Sequence, residues 1–568
     1  MRHLLFVLIL VLGLTPACGP SPGDGPPADL IVTNGRIFPA DGTSAFYEAL
    51  AVRGDRIAAV GTAADVDRLR GPGTQVIDAQ GGTVVPGFND PHFHMFLELE
   101  SGPLQLLAET TLEGIQNSIR AYGAANAAPW VLGQGWLYSA FPGAMPTRAQ
   151  LDALVPDRPA FLRSYDYHTA WVNSKALALA GITKTTPNPE DGIIGKDPAT
   201  GEPTGILKEN AQGLVMKLLP PITLQQRRDA LAALIPKLHQ AGVTSVQTAD
   251  SGPDHFETYE WARNAGVLQV RVFASISPRP LFDAGKAAPL ADTDVDRFDR
   301  LRDRYKPDAL FRIGIIKLLA DGVVEPFTAA LLAPYSDRPD TTGLPAYPPQ
   351  ELQRIVALLD RRGWPMMIHS IGDAAVRMSL DAFENAAKVN PPPARGRRHR
   401  VEHLETIDPS DVPRFGSLGV LASMHPEGWT GSPLPQSLLS VWARGLGPVR
   451  AGRFGSWAPV TQAGGRVLIG SDWPAAEYGT VARLYTVASP IAAGGNSAAQ
   501  LSMAAAVQAY TSGPAYAAFE DDLKGTLTPG KLADIVILSR DIFAQPLPPV
   551  KDVGVRITIF GGKVVYRQ

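Results

Sequence analysis

Eight short apolar runs constrain the fold of this chain more than any other feature. Each leads into polar or glycine-rich residues, and longer helical segments separate them. They are "TVVPGFNDPHFH" (83–94), "GVTSVQTAD" (242–250), "QVRVFASIS" (269–277) and "FRIGIIKLLADG" (311–322), then "WPMMIHSIGD" (364–373), "HRVEHLETID" (399–408), "GVLASMHPE" (419–427) and "RVLIGSDWP" (466–474). Strands alternating with helices indicate parallel units, and eight of them predict an α/β fold of the (β/α)8 TIM-barrel type. Such a barrel gathers its functional side chains at the C-terminal ends of its strands. Helical segments such as "QQRRDALAALIPKLHQAG" (225–242) end in glycine, as helix C-termini do.

The chain has 568 residues, more than a barrel needs. Strand texture with Asn-Gly and Gly-Asp turns fills both ends, in "ADLIVTNGRIF" and "EALAVRGDRIAAVG" and again in "GTLTPGKLADIVILSRD" and "VRITIFGGKVVYRQ". Neither end suffices alone, so residues 28–85 and 523–568 are expected to form one small β-sandwich, with the barrel domain, 86–522, inserted between them. Between the first two barrel strands lie about 150 residues, far beyond the ~15 of an ordinary loop. They include "WVLGQGW", "FLRSYDYHTAWVNSKAL" and the hairpin-like "GIIGKDPATGEPTGIL". Residues from about 100 to 220 are therefore read as an insertion over the barrel mouth, a substrate lid.

Arg2 and His3 precede "LLFVLILVLGL", an apolar run too short for a mature membrane span and suited to a signal peptide. Cys18, the only cysteine, follows Ala17 and resembles the acceptor of a bacterial lipoprotein signal. Residues 1–18 are expected to be a signal of that type and the Pro/Gly-rich 19–27 a tether. The protein is then exported as a membrane-anchored periplasmic lipoprotein whose only membrane contact is the lipid. If the signal is a plain secretory one, it is a soluble periplasmic or secreted protein. The formal net charge of −3 and the lack of basic runs with interleaved aromatics argue against nucleic-acid partners; "RGRRHR" (395–400) reads as a short charged loop. A homo-oligomer stays open.

Unusual polar residues stand at the strand ends. His92 and His94 close the first strand, and residues i and i+2 of a strand share a face. Lys317 lies inside "GIIKLL", where burying a free ammonium is costly. His369, His403 and Asp472 end strands five, six and eight. Four imidazoles, a carboxylate and a lysine suit one or two divalent cations of the zinc type. An ammonium cannot bind a cation, but a lysine that reacts with carbon dioxide becomes a carbamate, an anion with two oxygens able to bridge two metals. The plainer reading is an ammonium that reaches solvent or pairs with Asp321.

The phrases "PGFNDPHFH", "IIKLLADGV", "IHSIGDAAV", "RVEHLE" and "LIGSDWP", with a β unit split between the termini, resemble the amidohydrolase superfamily. The closest texture is the branch containing N-substituted formamide deformylase and related metal-dependent hydrolases, and the likeness runs from about residue 28 to the end. It implies that His92, His94, Lys317 and Asp472 ligate one metal, and that carbamylated Lys317, His369 and His403 hold the second. It further implies a metal-activated water as nucleophile, Asp472 as its catalytic base, and cleavage of an amide-type C–N bond in a small molecule.

His168, His425 and Trp473 are candidates for substrate contact. Asp90, Asp321 and Asp373, with Gly322, are candidates for supporting the ligands, Asp90 by orienting a histidine. Glu209 has no evident role. Trp136 and Trp171 are read as core, and His239, His255 and His399 as solvated. Rival readings are a mononuclear deaminase, an ester, lactone or carbamate hydrolase on the same machinery, and a non-catalytic binding lipoprotein. A deaminase of this superfamily typically adds a glutamate after the strand-five histidine, where this chain has Asp373. No Gly-X-Ser-X-Gly elbow supports a serine nucleophile.

Overall fold

The computed structural model describes residues 26–285, 288–305, 308–426, 436–476, 478–488 and 500–568, and the side chains of all of these except 436–439. Cys18, the whole segment expected to be a signal peptide and nearly all of the expected tether lie outside the described residues.

Eight parallel strands form one sheet: β1 (Phe88–Phe93), β2 (Val243–Thr248), β3 (Arg271–Ile276), β4 (Phe311–Leu319), β5 (Met366–Ser370), β6 (Arg400–His403), β7 (Leu421–Met424) and β8 (Arg466–Ile469). All eight fall within the runs read from sequence. They are buried on both faces, which is why they read as unbroken apolar stretches. The register aligns Leu319 with His369, His369 with Glu402 and His403 with Met424, so the polar residues cluster at one end. β8 and β1 close the barrel by hydrogen bonds beyond the end of β8. Asp472 N donates to His92 O (2.9 Å) and His94 N to Trp473 O (2.9 Å). Helices pack outside, among them Leu224–Gln240, which starts with a Thr223–Gln226 capping box and stops before Gly242 at φ +78°.

Residues 83–94 are two strands, not one. Thr83–Pro86 belongs to another sheet, and the chain turns into the barrel at Gly87, where a Cβ would lie 2.1 Å from Thr244 Oγ1. That other sheet draws on both ends of the chain, in the order Arg36–Ile37, Thr83–Pro86, Ile535–Leu538, Val555–Phe560, Lys563–Arg567. A four-stranded sheet from the N-terminal part faces it, and Val32, Leu50 and Ile77 meet Val84, Ile537 and Ile559 between the two. A buried ion pair from Arg271, the first residue of β3, to Asp534 (2.6 Å) ties this sandwich to the barrel.

The segment between β1 and β2 folds as a six-stranded sheet with helices. The hairpin read at 192–207 is present as Gly192–Lys196 paired antiparallel with Pro203–Glu209, two residues longer than the stretch read from sequence. Trp136 and Trp171 are fully buried in this insertion's own core. The basic run at 395–400 is not simply a charged loop, because Arg400 enters the barrel. Its guanidinium donates to Gln247 Oε1 (2.8 Å) and Pro91 O (2.9 Å) and lies 2.7 Å from Glu402 Oε1. Among the described residues no helix is long and apolar enough to cross a membrane.

Candidate metal centre

His92 in β1 and His94 just past its end lie with their rings 5.4 Å apart. Both Nε2 atoms converge on Asp472 Oδ1, at 3.3 and 3.1 Å. Each Nδ1 meets its own carboxylate: His92 with Glu402 Oε2 (2.7 Å) and His94 with Asp250 Oδ1 (3.1 Å). At His92 the hydrogen-bonded carboxylate fixes tautomer and ring orientation and leaves the Nε2 lone pair for a ligand, whereas the His94–Asp250 ion pair lacks hydrogen-bond geometry. Lys317, 3 % exposed, brings Nζ to 3.3 Å from His92 Nε2. The rings of His369 and His403 stand 4.2 Å apart, and His403 Nδ1 is 4.0 Å from Asp472 Oδ2.

The electrostatics follow from burial. It holds the His92, His369 and His403 imidazoles well below their ordinary pKa, helped by nearby Lys317. Burial also pulls Lys317 down to about 8 against the opposing pull of Glu402 and Asp472. His94 differs: burial lowers it, but Asp250 and Asp472 outweigh that and raise it to about 9.

These residues fit a divalent cation. The donor atoms of His92, His94 and Asp472 lie within 4.8 Å of one another, as do those of His92, His403 and His425. His403 Nε2 and both ring nitrogens of His425 are buried without a hydrogen-bond partner among the described residues. Two of the residues are held in a backbone region that L side chains avoid, His403 at φ +72° and Asp472 at φ +56°. At His403 this turn matters. Alternation places Arg400 and Glu402 inside the barrel, and the left-handed residue breaks it so that the next imidazole joins the cluster as well.

His168 lines the same small space as His94, Lys317, His369, His403 and Asp472. Glu209 holds its Nδ1 at 2.7 Å and accepts from Thr328 Oγ1 (2.6 Å); a Cβ at Gly322 would sit 2.2 Å from that glutamate. His425 packs against His92 and His403 at 4.4 and 4.6 Å but does not line the space. Neither does Trp473, which stacks on Phe93 at 5.0 Å.

The three aspartates read as supports accept hydrogen bonds chiefly from backbone amides, and none makes a hydrogen bond to an imidazole. Asp90 accepts from the amides of His92 and Ser471 and from Tyr510 Oη, tying β1 to the segment after β8. The residue that orients His92 is Glu402, which the sequence reading missed although it adjoins His403. Asp250 was missed too, although it ends the second apolar run. Asp321 accepts from the amides of Ala330, Ile371 and Gly372, so it is not the partner of Lys317; the closest imidazole nitrogen, His369 Nε2, is 3.8 Å away. Asp373 accepts from Leu332 N.

His239, His255 and His399 are buried rather than solvated, paired with Gln269 O (2.6 Å), Glu100 Oε1 (2.9 Å) and Asp360 Oδ1 (3.0 Å). A roomier groove of about 590 Å³ lies at the opposite end of β8, by Arg466 and Val467, and carries none of these residues.

A (β/α)8 barrel with this histidine-rich centre at its mouth is a metal-dependent hydrolase. The model of the Amidohydrolase family matches residues 75–566, and the chain belongs to that family. It is 32% identical to Protein LONG AFTER FAR-RED 3 of Arabidopsis thaliana, over 96% of this chain and 93% of that one. It is 27% identical to the N-substituted formamide deformylase of Arthrobacter pascens, over 95% and 98%. The structure of a metal-dependent hydrolase from Pyrococcus furiosus shares the fold at a TM-score of 0.65 and 23% identity, covering 89% of this chain and 98% of that one.

Proposed function

We propose that this protein hydrolyses an amide-type C–N bond of a small molecule, using one or two zinc-type cations at the barrel mouth. The observation that carries the reading is the convergence of two imidazole Nε2 atoms on one Asp472 oxygen, with a carboxylate facing each Nδ1, hydrogen-bonded at His92 and at ion-pair distance at His94. His92, His94, Lys317 and Asp472 would hold one cation, and Lys317, His369 and His403 the other. Lys317 would serve in both sets as a carbamate: its ammonium first gives up one proton, the amine nitrogen then bonds to the carbon of carbon dioxide with loss of a second, and a buried cation becomes an anion.

When bound, the metal supplies Lewis acidity toward the scissile carbonyl and toward water. Asp472 takes the proton of the attacking water and returns it to the leaving amine. His168, held by Glu209 with its ring 5.2 Å from that of His369, contacts the substrate from the insertion. The aligned N-substituted formamide deformylase supports cleavage of a C–N bond.

The test is amine release from N-formylbenzylamine, with benzyl formate as the matched ester, by full-length protein stripped of metal and reloaded with zinc. Zinc-restored amine release that is lost in Lys317→Ala supports the reading. Turnover of the ester alone assigns the site to esters, and undiminished Lys317→Ala activity removes the carbamate.

A further inference from the structure

The space directly over the candidate ligands measures only about 40 Å³, enough for a reacting group and little more. Small-molecule sites usually enclose some ~300–1,000 Å³. Leu97, Leu281 and Phe282 line that space and also a second cavity of about 410 Å³. One ring spans the partition: the Phe282 centroid is 5.5 Å from that of His168 and 5.3 Å from the guanidinium carbon of Arg163, which lines the second cavity.

Arg163 stands on the insertion strand Ala160–Ser164 and is 2 % exposed. Its Nη1 donates to Ser101 Oγ (3.2 Å) and its Nη2 meets Met216 Sδ (2.9 Å), while Nε has no partner among the described residues. No carboxylate of the described residues makes an ion pair with it. The carboxylates around this cavity are already committed: Glu100 to His255 (2.9 Å), Asp250 to His94 (3.1 Å) and Asp254 to Arg227 (2.9 Å). Burial pulls the Arg163 pKa down to about 10, with Glu100 the main opposing influence. Distant aromatic faces at 5.3–6.0 Å offset little of the cost of a buried, unpaired charge. A guanidinium with free donors matches a carboxylate in both charge and planar geometry.

We propose that the substrate carries a carboxylate, which extends past Phe282 into the second cavity and pairs with Arg163 while the scissile amide sits at the metal centre. The proposal deepens the hydrolase reading and rests on it for the identity of the reacting group. It makes the substrate an acid-bearing amide and assigns specificity to the insertion.

The test compares N-formyl-4-(aminomethyl)benzoate with neutral N-formyl-4-methylbenzylamine on zinc-loaded, full-length protein. Wild type should favour the acid in kcat/KM by about 10- to 100-fold, the worth of a charge-assisted hydrogen bond. Arg163→Met should abolish that preference, and Arg163→Lys, which keeps a buried cation, should retain more of it than Met does. Equal rates on both amides in wild type, or a preference that survives in Arg163→Met, overturns the proposal. Calorimetry on metal-free protein with 4-(acetamidomethyl)benzoate separates this question from the chemistry. Binding by wild type but not by Arg163→Met upholds the carboxylate site even if neither amide is hydrolysed. Binding no tighter than that of the corresponding methyl ester refutes it even if both amides are. Should Arg163→Met fail to fold, Arg163→Lys decides the matter by a weakened preference.

Discussion

The two ends of β6 each present a histidine, His399 buried and His403 nearly so, and the contrast between them separates a structural site from a candidate functional one. His399, just before the strand, uses both ring nitrogens: Nε2 meets Asp360 Oδ1 (3.0 Å) and Nδ1 accepts from Met366 N (3.3 Å). Its face stacks on Phe383 at 4.7 Å and 7°. His403, at the other end, has a strained backbone, an unpartnered Nε2 and a carboxylate no closer than 4.0 Å. Desolvation lowers both pKa values, so the direction of the shift does not distinguish them. Completeness does. A satisfied imidazole has nothing left to offer a ligand, whereas a buried nitrogen left open, with strain around it, marks the place where folding was made to wait for something else.

The largest effect expected from breaking this contrast is at Asp472. Asp472→Asn keeps size but loses the anion on which His92 and His94 converge, so amide hydrolysis should fall by about 10³-fold, within the range for a general base. Steady-state amine release measures it, and a loss of less than tenfold would remove Asp472 from the chemistry. Next comes Glu402, which acts through His92. Glu402→Gln should weaken zinc binding by about 10- to 100-fold, read by competition with a chromogenic chelator. It also leaves Arg400 buried without its anion, so thermal stability should drop with or without metal. Unchanged zinc affinity alongside lost stability would make Glu402 a partner of Arg400 only.

At the opposite end, His399→Ala should cost about 2–4 kcal/mol in urea unfolding, the sum of a lost buried hydrogen bond and a cavity. Zinc affinity should not move. A shift in affinity comparable to that of Glu402→Gln would mean that the two ends of the strand are coupled and that His399 belongs to the metal centre as well.

The barrel and the clustering of its candidate ligands were legible because both have local signatures. A strand buried on both faces reads as an apolar run, and the residue that breaks the run at its C-terminal end is conspicuous, as with "IIKLL", "MMIHS" and "LIGSD". What surrounds the ligands has no such signature, because its partners are remote in sequence. Glu402 reaches a histidine 310 residues away, and Asp90 is held by residues 381 and 420 positions along the chain. For the same reason His255 looked solvated until Glu100, 155 residues earlier, folded against it. Gly87 was overlooked because a glycine inside an apolar run gives no sign of which side chain will crowd it; here it is Thr244. Arg163 carried no signal at all, since a single arginine in a strand announces neither its burial nor its missing partner.

The smallest effect belongs to Asp360, the anion of the satisfied end. Burial alone would raise its carboxyl, yet hydrogen bonds from His399, Arg397 and Asn390 hold it well below the usual range. Because the folded state binds this proton more weakly than the unfolded chain does, Asp360 contributes its full stability above the unfolded carboxylate pKa of about 3.9. That contribution is lost as pH falls from there toward the depressed folded value. Urea unfolding of wild type and Asp360→Asn between about pH 5 and pH 2 should therefore converge, with wild type the steeper, since the variant has no such proton to take up. Other carboxylates titrate in both proteins and cancel in the difference. Parallel curves would mean that Asp360 keeps an ordinary pKa despite its partners. His399 would then owe its position to Met366 and Phe383 rather than to charge, and the completeness that sets it apart from His403 would rest on packing alone.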